Sequence, residues 1–99
     1  MNDGHMFLVH VTLHSSDTNR QLPEGCDTLI QLAAAPEDRV EHVVAHPYAR
    51  PSPVIGVYVL ADRREEAADC GQRACQRAID RFPALRDWKI TADEVSIHP

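Results

Sequence analysis

Histidine and cysteine are the residues of this 99-residue chain best suited to chemistry, six of the first and three of the second. Their spacing decides what they can do. His10 and His14 fall four apart in M-F-L-V-H-V-T-L-H, and His42 and His46 fall four apart in R-V-E-H-V-V-A-H. On a helix such a pair sits one turn apart and can share a metal ion. On a strand its members stand roughly 13 Å apart, at about 3.3 Å per residue. Zinc holds its nitrogen ligands at about 2.0–2.1 Å, so a strand pair cannot share one ion. A site would then have to form between strands. His10 and His42, with Gly56 leaving a gap between them, are the weak candidates. Solvated surface histidines are the expectation, with no metal and no cofactor.

Nucleophilic chemistry has less support. Cys26, Cys70 and Cys75 are odd in number and contain no CxxC, so neither a disulfide framework nor a zinc ribbon is indicated. On one helix Cys70 and Cys75 project roughly 140° apart, at about 100° per residue. They read as small buried apolar residues. Cys26 lies near a helix start, where the dipole can lower a thiol pKa. It also lies on that helix's apolar stripe, and burial is the preferred reading. Asp17, Asp38, Glu41 and Asp93 are scattered, and no glycine-rich loop follows a strand to cradle a phosphate. Tyr48 and Arg50, in a proline-rich connector, are residue types favoured at interaction hot spots. The competing reading is a rigid turn that fixes hairpin geometry. Trp88 reads as a residue at the edge of the core.

The elements that must position these residues are organised around V-I-G-V-Y-V-L-A, Val54 to Ala61. Its β-branched and aromatic residues favour a strand. Ile55, Val57 and Val59 line one face and Val54, Tyr58 and Leu60 the other, so both faces want cover. Before it, Met6 to His14 alternates as a strand with Phe7, Val9, Val11 and Leu13 on one side. A helix is expected from Pro23 to Pro36, with Leu22, Cys26, Leu29, Ile30 and Ala33 buried. Arg39 to His46 is read as a strand because Pro47 disfavours helical geometry at His46. A one-residue slip of its register would turn His42 and His46 to the other face. Asp62 to Phe82 is expected to be a helix, opened by a capping box of Asp62 with Glu65. Ala67, Gly71, Ala74, Ala78 and Phe82 form its buried stripe. Arg63, Arg64, Arg73, Arg77 and Arg81 fall on a solvated face. Trp88 to Ala92 reads as a last strand, prolonged through Val95 and Ile97.

Strand, helix, strand, strand, helix, strand resembles the ferredoxin-like βαββαβ arrangement, a likeness of pattern without a family motif. It implies an α+β two-layer sandwich, with a four-stranded antiparallel sheet and two helices on one face. Residues 6–99 would form one domain behind a disordered, polar stretch at residues 1–5. The uncovered face, with Leu8, His10, Thr12, His14, Val54, Tyr58 and Leu60, is the candidate for a ligand or an interface. The expected function is a non-enzymatic association module, a homodimer or a binder of another protein. The alternative is a small-molecule enzyme or ligand binder of the dimeric α+β-barrel kind, which is similar in length and element order. Its pocket would be lined by Tyr58, His10, His14 or Trp88. A net charge of −5 argues against a nucleic-acid partner. No apolar run suits a membrane span or a signal peptide, so a cytoplasmic setting is expected. Arginine in preference to lysine, with abundant alanine, suggests a bacterial source.

Overall fold

The computed structural model describes residues 4–17 and 19–98. Four strands, β1 (His5–Ser15), β2 (Val40–His46), β3 (Val54–Ala61) and β4 (Trp88–Ile97), form one antiparallel sheet in the order β2-β3-β1-β4. Two helices, α1 (Cys26–Ala33) and α2 (Arg64–Arg81), pack on it. The fold is therefore α+β. β3, a central strand with neighbours on both edges, carries the most apolar sequence.

Period-two alternation fixes which side each strand buries. Phe7, Val9, Val11 and Leu13 of β1 are buried, as are Ile55, Val57, Val59 and Ala61 of β3. In register, Val57 lies between Val9 of β1 and Val43 of β2, which is also buried. Ala67, Cys70, Gly71, Ala74, Cys75 and Ala78 of α2 close over this surface, with Cys26 and Ile30 of α1 beside them. The stripe of small residues brings α2 close to the sheet. A Cβ added at Gly71 would stand 2.8 Å from Cγ1 of Val9.

Several boundaries differ from the sequence reading, each for a local reason. His5, expected in the N-terminal tail, pairs with Ala61 as the first residue of β1; residues 1–3 lie outside the described residues. α1 begins at Cys26, three residues after Pro23, because Gly25 takes a left-handed conformation at φ 82° and breaks the turn there. The capping box at α2 does not form. Arg63 occupies the cap position without a side-chain bond, and the Asp62 amide donates instead to Glu66 Oε1 at 2.9 Å. Arg73 and Arg77 keep the solvated face expected of them, but their guanidinium groups also reach Asp38, which is fully buried in the short 3-10 turn Pro36–Asp38. Asp38 is thus held by two arginines of α2. The connector between β2 and β3 turns at a cis Arg50–Pro51 peptide.

Candidate functional site on the open sheet face

The side of the sheet away from the helices carries the even-numbered residues of β1 and β3: Met6, Leu8, His10, Thr12 and His14, then Val54, Gly56, Tyr58 and Leu60. Leu8, His10, Thr12, Val54, Tyr58 and Leu60 are half-buried, and His14 is exposed. β2 joins them through a register shift between Val40 and His42, which pairs His42 with Tyr58, Val44 with Gly56 and His46 with Val54. His42 and His46 therefore both lie on the open face. Glu94 of β4 is the direct partner of His10, and Ser96 that of Leu8.

Gly56 shapes the centre of this face. It lies opposite His10 on one side and Val44 on the other. Having no side chain, it leaves a gap that the His46 ring and the Leu8 side chain border. A Cβ at Gly56 would be 3.7 Å from Nε2 of His46 and 3.4 Å from Cδ1 of Leu8. The centroids of His10 and His46 are 6.1 Å apart. The glycine gap was expected to bring His10 towards His42; it brings His10 towards His46. The cause is register. His42 sits directly beside Tyr58, and their rings lie 5.9 Å apart. His98, just beyond β4, closes on the other side of Tyr58, edge-on at 5.1 Å, and its amide donates to the carbonyl of Met6.

Two assemblies result. One is an aromatic row, His42, Tyr58 and His98, across the end of the sheet where β1 begins. The other is an open groove of about 580 Å³, with His10, Thr12, His46, Val54 and Glu94 in its walls. Tyr58 lines no part of that groove. His14 and Trp88 lie apart from it, beside a small cavity of about 120 Å³ that also touches Ser15 and Arg20. Trp88 itself is buried. Tyr48 is 78 % exposed on the connector, with Arg50 exposed near it. The sequence reading contained His10, Thr12 and Val54, but not Glu94 or His98 as members of the face. Glu94 was missed because the bulge between Thr12 and Leu13 sets β4's facing, and nothing in β4 alone shows it.

The cysteines carry no chemistry of this face. All three are buried and unpaired. Burial pushes the Cys26 and Cys70 thiols up, and Cys75 to about 12, so thiolate is disfavoured at each. At Cys26, burial outweighs any help from the short α1. Among the described residues, no group of three or more His, Cys, Asp or Glu is placed to hold a metal ion. No helix there is long and apolar enough to cross a membrane. Compared with protein families, curated proteins and solved structures, the chain finds no match.

Proposed function

We propose that this chain is an association module whose open sheet face buries against a second copy of itself. One observation carries the reading. The helices cover one side of β3 completely, while Val54, Tyr58 and Leu60, with Leu8 and Met6 across from them, remain half-covered on the other. Charge favours a second copy as the occupant. The molecule carries −5, yet among the described residues the facing positions of β4 hold one carboxylate, Glu94, and one amine, Lys89. The open face is the region where two like-charged copies meet with least repulsion. The architecture, read as a ferredoxin-like βαββαβ sandwich, suits this use, since its two helices leave one sheet face free. Three buried, unpaired cysteines fit a reducing cytoplasm, here taken to be bacterial.

Sedimentation equilibrium of untagged protein tests this directly. The wild type should run as a dimer, and Tyr58→Glu as a folded monomer, because a carboxylate at the centre of the contact would be desolvated without a partner. A variant that dimerises as the wild type does places the contact elsewhere.

The groove supports a second reading. Two imidazoles, a hydroxyl and a carboxylate converge on about 580 Å³, within the usual size of small-molecule sites. A second copy laid over this face would roof the groove, giving a ligand binder or enzyme of the dimeric barrel kind. A non-covalent mass retained in native mass spectra would favour that reading over the plain association module.

A further inference from the structure

We propose that one divalent transition-metal ion bridges two copies of this chain, held by His10 and His46 of each. This inference rests on the open-face pairing proposed above. It begins from geometry. An ion at about 2.0–2.1 Å from one nitrogen of an imidazole lies about 3.2 Å from the ring centroid. Two rings sharing that ion must then have centroids no more than about 6.4 Å apart. His10 and His46 stand at 6.1 Å, inside that limit. A tetrahedral angle at the ion asks for about 5.2 Å, which a closing of about 1 Å achieves. Gly56 allows this approach. A Cβ there would stand 3.7 Å from Nε2 of His46, and Gly56 is the direct cross-strand partner of His10.

The pair comes from the two strands flanking β3, so the sheet holds both backbones and only the rings must move. Glu94, the direct cross-strand partner of His10, lines the same groove. A carboxylate beside a ligating imidazole orients the ring and raises its basicity. Its charge also offsets part of the ion's.

Two imidazoles are half of a tetrahedral set. Among the described residues of one chain no third ligand converges on them. A two-fold axis supplies the rest, since in an isologous contact the same patch meets itself. His10 and His46 of both copies then provide four nitrogens, a donor set that suits zinc, nickel and copper. The other open-face histidines do not compete. The His42 ring is against Tyr58, and His14 lies at the far cavity.

The experiment is sedimentation velocity with native mass spectrometry on untagged protein, in EDTA and then with ZnCl₂ at half an equivalent per chain. The expected result is one zinc per two chains and at least a tenfold tighter dimer than in EDTA. His10→Ala and His46→Ala should lose both the ion and the tightening, while His14→Ala keeps them. Both removed side chains lie on the surface, and unchanged circular dichroism and melting would show that the variants fold. A dimer of equal affinity in EDTA and in ZnCl₂, with no zinc bound after the addition, overturns this inference and leaves the open-face pairing intact. One zinc per chain without dimerisation overturns it, and so does equal loss in His14→Ala, the mark of general surface-histidine binding. A monomer under both conditions overturns the inference and the pairing together.

Discussion

Asp38 is fully buried, and its carboxylate is satisfied from three directions. It accepts from Ala35 N–H at 2.9 Å, from Arg73 Nε at 2.9 Å, and from Arg77 Nε at 2.8 Å. Burial pulls its pKa upward most strongly as a single cause. The hydrogen bonds from Arg77, Ala35 and Arg73, with the Arg77 charge, together outweigh it and hold the carboxyl below its ordinary value of 3.8. Because the native pKa is lowered, the stability it gives is present above pH 3.8 and is lost as pH falls through the native value. The arginine side chains are 47 % and 38 % exposed, so water screens the ion pairs and the loss on substitution comes mainly from unmade hydrogen bonds. Asp38→Asn puts an amide N–H₂ against one set of donors and should cost about 1–3 kcal/mol. Thermal melts at pH 7 should show a Tm lower by roughly 5–15 °C. At pH 3, below the ordinary value of 3.8, the gap between the two proteins should be narrower. A gap of equal size at both pH values would mean the carboxylate's charge plays no part. None of this was legible beforehand: Asp38 is 35 residues from Arg73 and 39 from Arg77, and only the fold brings them together.

At the scale of elements, two glycines show different constraints. Gly71 has ordinary helical backbone, but a Cβ there would lie 2.9 Å from Cβ of Val9. That atom is fixed to the strand backbone, so α2 itself must shift. Gly71→Ala gains about 1 kcal/mol of helix propensity but loses about 1–3 kcal/mol to overpacking, and the rigid neighbour decides for the loss. Gly25 is the reverse case. Nothing lies within 4 Å of its Cβ position, but φ is +82°. Gly25→Ala should cost about 1–2 kcal/mol through strain alone. Urea titration of both variants checks this, and a stabilised Gly71→Ala would show that α2 can lift off the sheet without cost. The same contrast explains what the sequence could show. Strands β1 and β3 and the apolar side of α2 follow from periodicity, which core burial enforces over many residues. The start of α1 turns on one backbone angle at Gly25, and the pairing of His10 with His46 turns on a register shift in β2. A single residue's conformation leaves no periodic trace.

For the whole molecule, the contrast between an acidic body and a nearly uncharged face makes salt a diagnostic of the contact. Two copies carrying −5 each, stacked with centres about 20 Å apart, repel by about 5 kcal/mol in water without salt. At 0.01 M ionic strength about half of this remains, and at 0.15 M less than a tenth, from screening lengths of about 30 and 8 Å. Raising salt across that range should therefore stabilise a dimer by about 2 kcal/mol, roughly thirtyfold in affinity. The contact itself offers little to oppose this, since Leu8, Val54, Tyr58 and Leu60 form an apolar surface whose burial is not weakened by screening. A dimer joined through the helix side would behave differently. That surface presents Arg63, Arg64 and Arg81 beside Glu65, Asp69 and Asp80, all exposed, and cross-contact ion pairs there weaken as salt rises. Sedimentation equilibrium at pH 8 in 10 and 150 mM NaCl, with EDTA present, separates the two. Tightening with salt supports the open sheet face, and loosening with salt assigns the contact to the charged helices.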